Sequence, residues 1–486
     1  MQKENVRWMN ECARTGKGMD VIIVSTDSRA QEEECQRHLE GLLGDLIKPT
    51  AKVAAVWEDW PGGAGNGLGT LYAYLKGKAK LQERYGFDLV DLQKRGASIA
   101  IYHTAGQGKR LSPLTGSEHN NKSAVKLPAY TGKLKGWMTL LDAVLKQTAL
   151  FAQNRKGRLS VFWGDQLFIP SKVLNAPPKH HAEIFVQSQK WPSKEEWIAK
   201  KWSQYGVVSH NEDGDAFLFE KPDFTLIDLL KKEGKLHKKS AKSLGCFSLS
   251  TPLTFALLDL FQNELEQKLV RMDSDLSFWM PAILSKELYH KICGTQGDSE
   301  HFAKMQVFAT AFKSNHPESP FFGALDIGAQ SYWLDYGTLD QYFHNQLKLV
   351  EMTPEGETLR TFFGLKIDPE TLSIVLNSST QGSVFRRSIV VGTSCDKFSG
   401  EKCILINSQI REGTGSHALL YNVHEKDPLE LSNDSIRADA FIEEQHIKLY
   451  TTLGRDGKAD WSLRLPQNAL SYEDVYQLNQ RCILAE

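Results

Sequence analysis

No apolar run in this chain is long enough to cross a bilayer, and the opening "MQKENVRWMN" lacks the pattern of a signal peptide. Charge of one sign is also missing. A formal net charge of −1 gives no global field that would draw nucleic acid or an anionic membrane. The seven cysteines (12, 35, 246, 293, 395, 403 and 482) contain no CxxC pair, which argues against a disulfide framework or a zinc site and fits a reducing cytosol. What remains is ordinary globular composition, 41% apolar and 24% charged, over 486 residues, enough for two or three domains. The expectation is a soluble cytoplasmic protein that binds neither nucleic acid nor membrane, with self-association left open.

Short β-branched apolar runs alternate with helical spacing through the first half. "MDVIIVSTDS", "AKVAAVWEDW", "GASIAIYHTAG" and "GRLSVFWGDQLFI" read as buried strands. "RAQEEECQRHLEGLLGDL", "TLYAYLKGKAKLQERYG" and "MTLLDAVLKQTALF" read as the helices between them. This alternation predicts a doubly wound α/β sheet over residues 1–352. From about residue 182 the strands become mixed, with a hairpin signal at Asp213-Gly214. "TPEGETL" (353–359) reads as a linker. Residues 360–486 carry β-branched triplets, with Val384 and Val390 six apart, as are Ile404 and Ile410. Two readings fit that pattern, a parallel β-helix of broken hexads or a small antiparallel β-domain.

Two glycine-rich segments follow predicted strands. "TAGQGKRLSPLT" (104–115) is neither a Walker loop nor a dinucleotide fingerprint. It reads as a backbone cradle of Ala105, Gly106, Gln107, Gly108 and Lys109 that aims Arg110 at polyphosphate. Lys122 and Lys126 follow in "NNKSAVKLP" and complete a basic cluster. Asp165, in "FWGDQLF", ends a buried strand, where an open α/β sheet binds its ligand and where a carboxylate can hold Mg²⁺. Asp335, in "YWLDYGT", is a second carboxylate in the same predicament. Glu220 and Lys221 end a strand before Pro222; adjacent strand residues point to opposite faces, so both reach one ligand only if the strand bends there.

Taken in order, AGxGxRLxPLT, the lysine segment ending in Pro128, GD, YGVV, EKP and WLDYGT resemble the sugar-1-phosphate nucleotidylyltransferases, over roughly residues 20–345. The resemblance implies a Rossmann-like fold of GT-A type and a reaction of NTP with sugar 1-phosphate to give NDP-sugar and pyrophosphate. Carried over, Gly106, Gly108 and Arg110 would hold the triphosphate, with Lys122 or Lys126 as the phosphate lysine. Asp165 and Asp335 would hold Mg²⁺. Glu220 would bind sugar hydroxyls, Lys221 the sugar phosphate, and Tyr205 and Gly206 would line the sugar pocket.

The family's base-contacting turn normally follows the phosphate loop. Here "GAGNGLGTLYAY" (63–74) precedes it, which implies a circularly permuted sheet with Gly67, Gly69 and Thr70 on the base side. That order is similar to fucose-1-phosphate guanylyltransferases and to plastid-type UDP-glucose pyrophosphorylases. UTP with glucose 1-phosphate is the first expectation, and GTP with fucose or mannose 1-phosphate the alternative. A non-catalytic nucleotide-sugar sensor would be expected to lose the metal aspartates or the lysines, and all are present. An oxidoreductase would need the true GxGxxG that the chain lacks.

Overall fold

The computed structural model describes residues 1–12, 15–131, 136–294 and 298–485. In chain order its first strands are β1 (Val21–Thr26), β2 (Lys52–Trp57), β3 (Ile99–His103), β4 (Lys126–Tyr130), β5 (Trp137–Thr139), β6 (Arg158–Trp163) and β7 (Gln166–Ile169). Then come β8 (Ala182–Gln189), β9 (Gly206–His210), β10 (Ala216–Glu220), β11 (Lys239–Ser250), β12 (Phe322–Asp326) and β13 (Tyr332–Asp335).

The sheet centre runs β2–β1–β3–β6, all parallel. Such strands are covered on both faces, which is why β1 and β3 are apolar nearly throughout and buried at every position. Their alternate residues feed two cores. Ile23 and Ile101 pack with helix Gly65–Tyr85 and the helix Thr251–Leu260 on one face. Ile22, Val24 and Tyr102 pack with helices Arg29–Gly41 and Leu140–Thr148 on the other. At about 25 cal/mol per Å² of apolar area, these two layers are the main force that holds the sheet. Beyond β6 the sheet turns antiparallel through β11, which pairs β6, β8 and β9, and the hairpin expected at Asp213-Gly214 joins β9 to β10. The fold is mixed α/β.

One predicted strand is two. "RLSVFWGDQLFI" breaks at Gly164-Asp165 into β6 and β7, and β7 leaves the sheet to pair antiparallel with β13. A Cβ at Gly164 would meet the Thr104 methyl at 2.7 Å, so the break depends on glycine. The β7–β13 register sets Asp335 opposite Gln166, the neighbour of Asp165.

The expected linker is instead the first part of a helix, Pro354–Phe363, capped by the Thr353 hydroxyl on the Gly356 N–H. Beyond it, parallel strands pair Ile374 with Ile389, Ile389 with Ile404 and Ile404 with Leu419. The coils are therefore parallel until the strand Gln445–Thr452 turns back antiparallel. The expected six-residue spacing is not the repeat: Val390 is buried while Val384 is 57% exposed. The repeat is fifteen residues. The Ser378 hydroxyl accepts the Thr393 N–H, the Thr393 hydroxyl accepts the Ser408 N–H, and the Ser408 hydroxyl accepts the Val423 N–H, each step spanning 15 residues. Ile389, Ile404 and Leu419 share a core with Leu127 and Tyr336 of the first part of the chain. Among the described residues no helix is long and apolar enough to cross a membrane, and no two cysteines form a disulfide.

Candidate functional site

Parallel strands deliver their C-terminal ends to one edge of the sheet, and the segments after β1, β2, β3 and β6 carry Asp27, Glu58, Thr104 and Asp165. The two glycine segments leave this same edge, from β2 and β3, with β1 between them.

Four of the predicted residues meet here. The Lys122 ammonium donates to Asp165 across 2.9 Å, with the two side chains 17% and 12% exposed. A Cβ at Gly337 would stand 3.0 Å from Asp335 Oδ1, 3.6 Å from Arg110 Nη2 and 3.7 Å from Asp165 Oδ2. Gly337 therefore floors a cradle that any side chain would fill. Burial pushes the Asp335 carboxyl up, and the Asp165 charge adds to it against the Gly337 N–H and Arg110. Two hard oxygen ligands that repel each other fit a Mg²⁺ ion, which takes one or two carboxylates and completes its shell with water and phosphate oxygens. Among the described residues no group of three or more metal-ligating side chains occurs.

Gly108 explains how Lys122 reaches the site. Its φ is +60, and a Cβ there would come within 2.8 Å of the Thr115 methyl and 3.2 Å of Lys122 Cβ. Lys126 goes elsewhere. Its ammonium pairs with Glu118 and lies 5.4 Å from the Tyr421 ring centre, at the contact with the coil stack. Lys109 also turns that way, 4.5 Å over the Trp461 ring.

The other glycine segment differs from the expected open turn. Gly67, Gly69 and Thr70 lie buried in the first turns of helix Gly65–Tyr85. The Gly67 and Leu68 N–H groups donate to the Met272 carbonyl, and a Cβ at Gly67 would meet that oxygen at 2.9 Å. A Cβ at Gly69 would meet the Glu58 carboxylate at 3.0 Å. These two glycines permit close packing and do not present free N–H groups. Thr70 instead ties the helix to the sheet. Its hydroxyl donates to the Asn66 carbonyl at 2.7 Å and sits 2.8 Å from His103 Nε2. The tautomer that satisfies this network has His103 Nε2–H donating to Thr70 and Nδ1 accepting from Ser25, 3.1 Å away. Burial pushes the His103 imidazole down to about 4, so it stays neutral.

On the other side of the carboxylate pair, Tyr205 packs edge-on to Trp333 at 5.4 Å, and its hydroxyl is raised by burial and by the Asp335 charge. Glu220 and Lys221 pair at 2.9 Å. The bend needed to bring them together falls at Lys221 itself, whose φ is +48 and whose N–H donates to the Tyr205 carbonyl at 3.2 Å. Gly206 leaves room for Glu220, whose Oε2 would be 3.0 Å from a Cβ there.

Three groups of this cleft were not expected from the sequence. Asp275 is half-buried near Glu220, and loss of solvent first, then the Glu220 charge, pushes its carboxyl up to about 8. Lys242 lies 4.4 Å from the Tyr205 ring and 5.3 Å from the Trp202 ring, and donates to the Lys200 carbonyl at 2.9 Å. Burial lowers its ammonium to about 8. Asp27 accepts the Gly106 N–H and the Tyr476 hydroxyl, while burial raises it. Neither a family model nor a curated protein matches this chain, so the cleft is read from its own geometry.

Proposed function

We propose that this protein is a sugar-1-phosphate nucleotidylyltransferase that converts NTP and sugar 1-phosphate into NDP-sugar and pyrophosphate. The observation that carries the reading is the meeting of Arg110, Lys122, Asp165 and Asp335 around Gly337, from motifs far apart in the sequence. A phosphate oxygen of the sugar attacks the α-phosphorus, the bond from that phosphorus to the β-phosphate oxygen breaks, and pyrophosphate leaves. No covalent enzyme intermediate is required, so the protein positions the reactants and neutralises charge.

Arg110, exposed at the end of the glycine loop, suits the β- and γ-phosphates with its planar fork. Lys122 moves between Asp165 and the triphosphate, a short step for a flexible ammonium. Lys221, exposed beside Tyr205 and Gly206, suits the sugar phosphate, with Glu220 accepting from sugar hydroxyls. Asp165 and Asp335 would hold Mg²⁺, which supplies neutralisation of the phosphate charge when bound. The strand order also supports a permuted Rossmann-like sheet, since both glycine segments open on one edge around β1.

UTP with glucose 1-phosphate is the pairing favoured by the motifs. The permuted order of the motifs favours GTP with fucose or mannose 1-phosphate as the alternative. Pyrophosphate release across four NTPs and a panel of sugar 1-phosphates tests the proposal. Turnover of one pairing, abolished by Asp165→Ala, is expected; no turnover with any pairing would overturn it.

A further inference from the structure

The tip of the loop that would hold the triphosphate stands open. Gly106 and Gln107 are exposed, and a Cβ at Gly106 would meet nothing within 4 Å. Part of what grips the loop comes from beyond residue 455. The Gln107 side chain lies beside the Tyr476 hydroxyl. That hydroxyl donates to Asp27 at 3.4 Å, and Asp27 holds the Gly106 N–H. Tyr476 packs edge-on to Trp461 at 5.5 Å, the same ring that carries the Lys109 ammonium. Residues 106, 107 and 109 thus each lie against this C-terminal layer or a carboxylate that it shares.

The layer is seated firmly enough to act as a support. The buried Asn479 donates to the Gly116 carbonyl and to Asn120 Oδ1, both at 3.0 Å. Asn120 in turn donates to the Tyr476 carbonyl at 2.9 Å, and the Gly457 backbone lies directly against the Lys109 carbonyl.

We propose that Tyr476 is a positioning residue of the nucleotide site, holding residues 106–107 of the glycine loop in their receptive shape so that the C-terminal layer is a working part of that site. Fixing a residue's backbone costs conformational entropy. A loop ordered before the ligand arrives spares that cost at binding and so tightens it. The inference rests on the nucleotidylyltransferase reading for the identity of the ligand, and on geometry alone for the grip.

Tyr476→Phe removes only the hydroxyl and keeps the ring on Trp461, so it separates the grip from packing. In the full-length protein, hydrogen exchange of residues 104–110 without ligand reads the grip, and equilibrium binding of UTP and GTP reads its use. The variant is expected to exchange faster in that loop alone, to melt within about 2 °C of the wild type, and to bind the nucleotide about fivefold more weakly. Its apparent KM for sugar 1-phosphate is expected to stay unchanged. Unchanged loop exchange overturns the proposal, as does faster exchange throughout the protein with a lowered melting point, which marks a merely structural role. Faster loop exchange with undiminished nucleotide affinity overturns it too. If the loop loosens but neither protein binds a nucleotide, the grip stands and the assignment of the ligand fails.

Discussion

Lys122 and Asp165 face each other across 2.9 Å, the lysine from the segment after the glycine loop and the aspartate from the break between β6 and β7. With both side chains mostly buried, the pair is screened less than a surface ion pair. Lys122→Ala would leave two carboxylates facing each other with Arg110 as their nearby cation. A loss of about 10²–10³-fold in kcat is expected, comparable with removal of one preorganised charge from other sites, and pyrophosphate release measures it.

Lys126 provides the contrast. Its ammonium is committed to Glu118 beneath Tyr421, away from the carboxylate pair. Lys126→Met is expected to keep turnover within about threefold of the wild type while lowering the melting temperature, because the partly buried Glu118 loses its cation and keeps only the neutral donors Tyr421 and Asn422. A kcat loss as large as that of Lys122→Ala would place Lys126 in the chemistry and refute the division of labour between the two lysines.

Gly108→Ala carries two penalties, a left-handed backbone and a 2.8 Å approach to the Thr115 methyl. Destabilisation of about 1–3 kcal/mol is expected from chemical denaturation. Adding Thr115→Ser removes the methyl and leaves the hydroxyl, so the double variant should recover the steric part and retain the strain. No recovery would assign the whole penalty to the backbone.

Lys221 is exposed and lies beside Tyr205, where the proposal puts the sugar. Lys221→Ala is expected to raise KM for sugar 1-phosphate by about 10- to 100-fold, the value of a lost charge-assisted hydrogen bond, without weakening the binding of nucleotide alone. Steady-state kinetics with the two substrates varied in turn separates these outcomes.

Asp275 gives a pH signature. Its folded carboxyl titrates at about 8, against an ordinary value of 3.8, through loss of solvent first and then the Glu220 charge. The folded state therefore keeps a proton that the unfolded chain releases, and stability falls as pH rises from about 4 to about 8. Asp275→Asn mimics the protonated group and should flatten that slope. The variant is expected to match the wild type near pH 4 and to exceed it near pH 8 by several kcal/mol. Equal pH slopes in thermal melts would count against the carboxyl pair.

Sequence pattern made some of this visible and hid the rest for identifiable reasons. Asp165 and Asp335 stood out because an isolated acid at the end of an apolar run is conspicuous, and Asp213-Gly214 marked its hairpin through turn chemistry. His103 closes an apolar strand and reads as core until Thr70 and Ser25 are known to flank it. Lys242 sits in "KKSAKSLG", which reads as solvated surface, and its burial depends on Trp202 and Tyr205 from another segment. Asp275 lies in the polar "MDSDLS", so only its tertiary contact with Glu220 makes it unusual. The helix at Pro354–Phe363 did carry start signals, the Thr353 cap and Pro354, but its Pro-Glu-Gly-Glu composition reads as a linker. The glycines of 63–69 read as an opening for a ligand, whereas Met272 and Glu58 fill the space that they leave.

Asp27 and Tyr476, which share the hold on the glycine loop, are 449 residues apart. A ribosome that has passed Asp335 has already made every charged group of the carboxylate cradle. The loop's outer support is still unmade at that moment, with the coil stack yet to be translated. Nascent chains arrested in that interval would carry the carboxylate cradle while the glycine loop still lacked its outer support, so the two would be completed at different stages of synthesis.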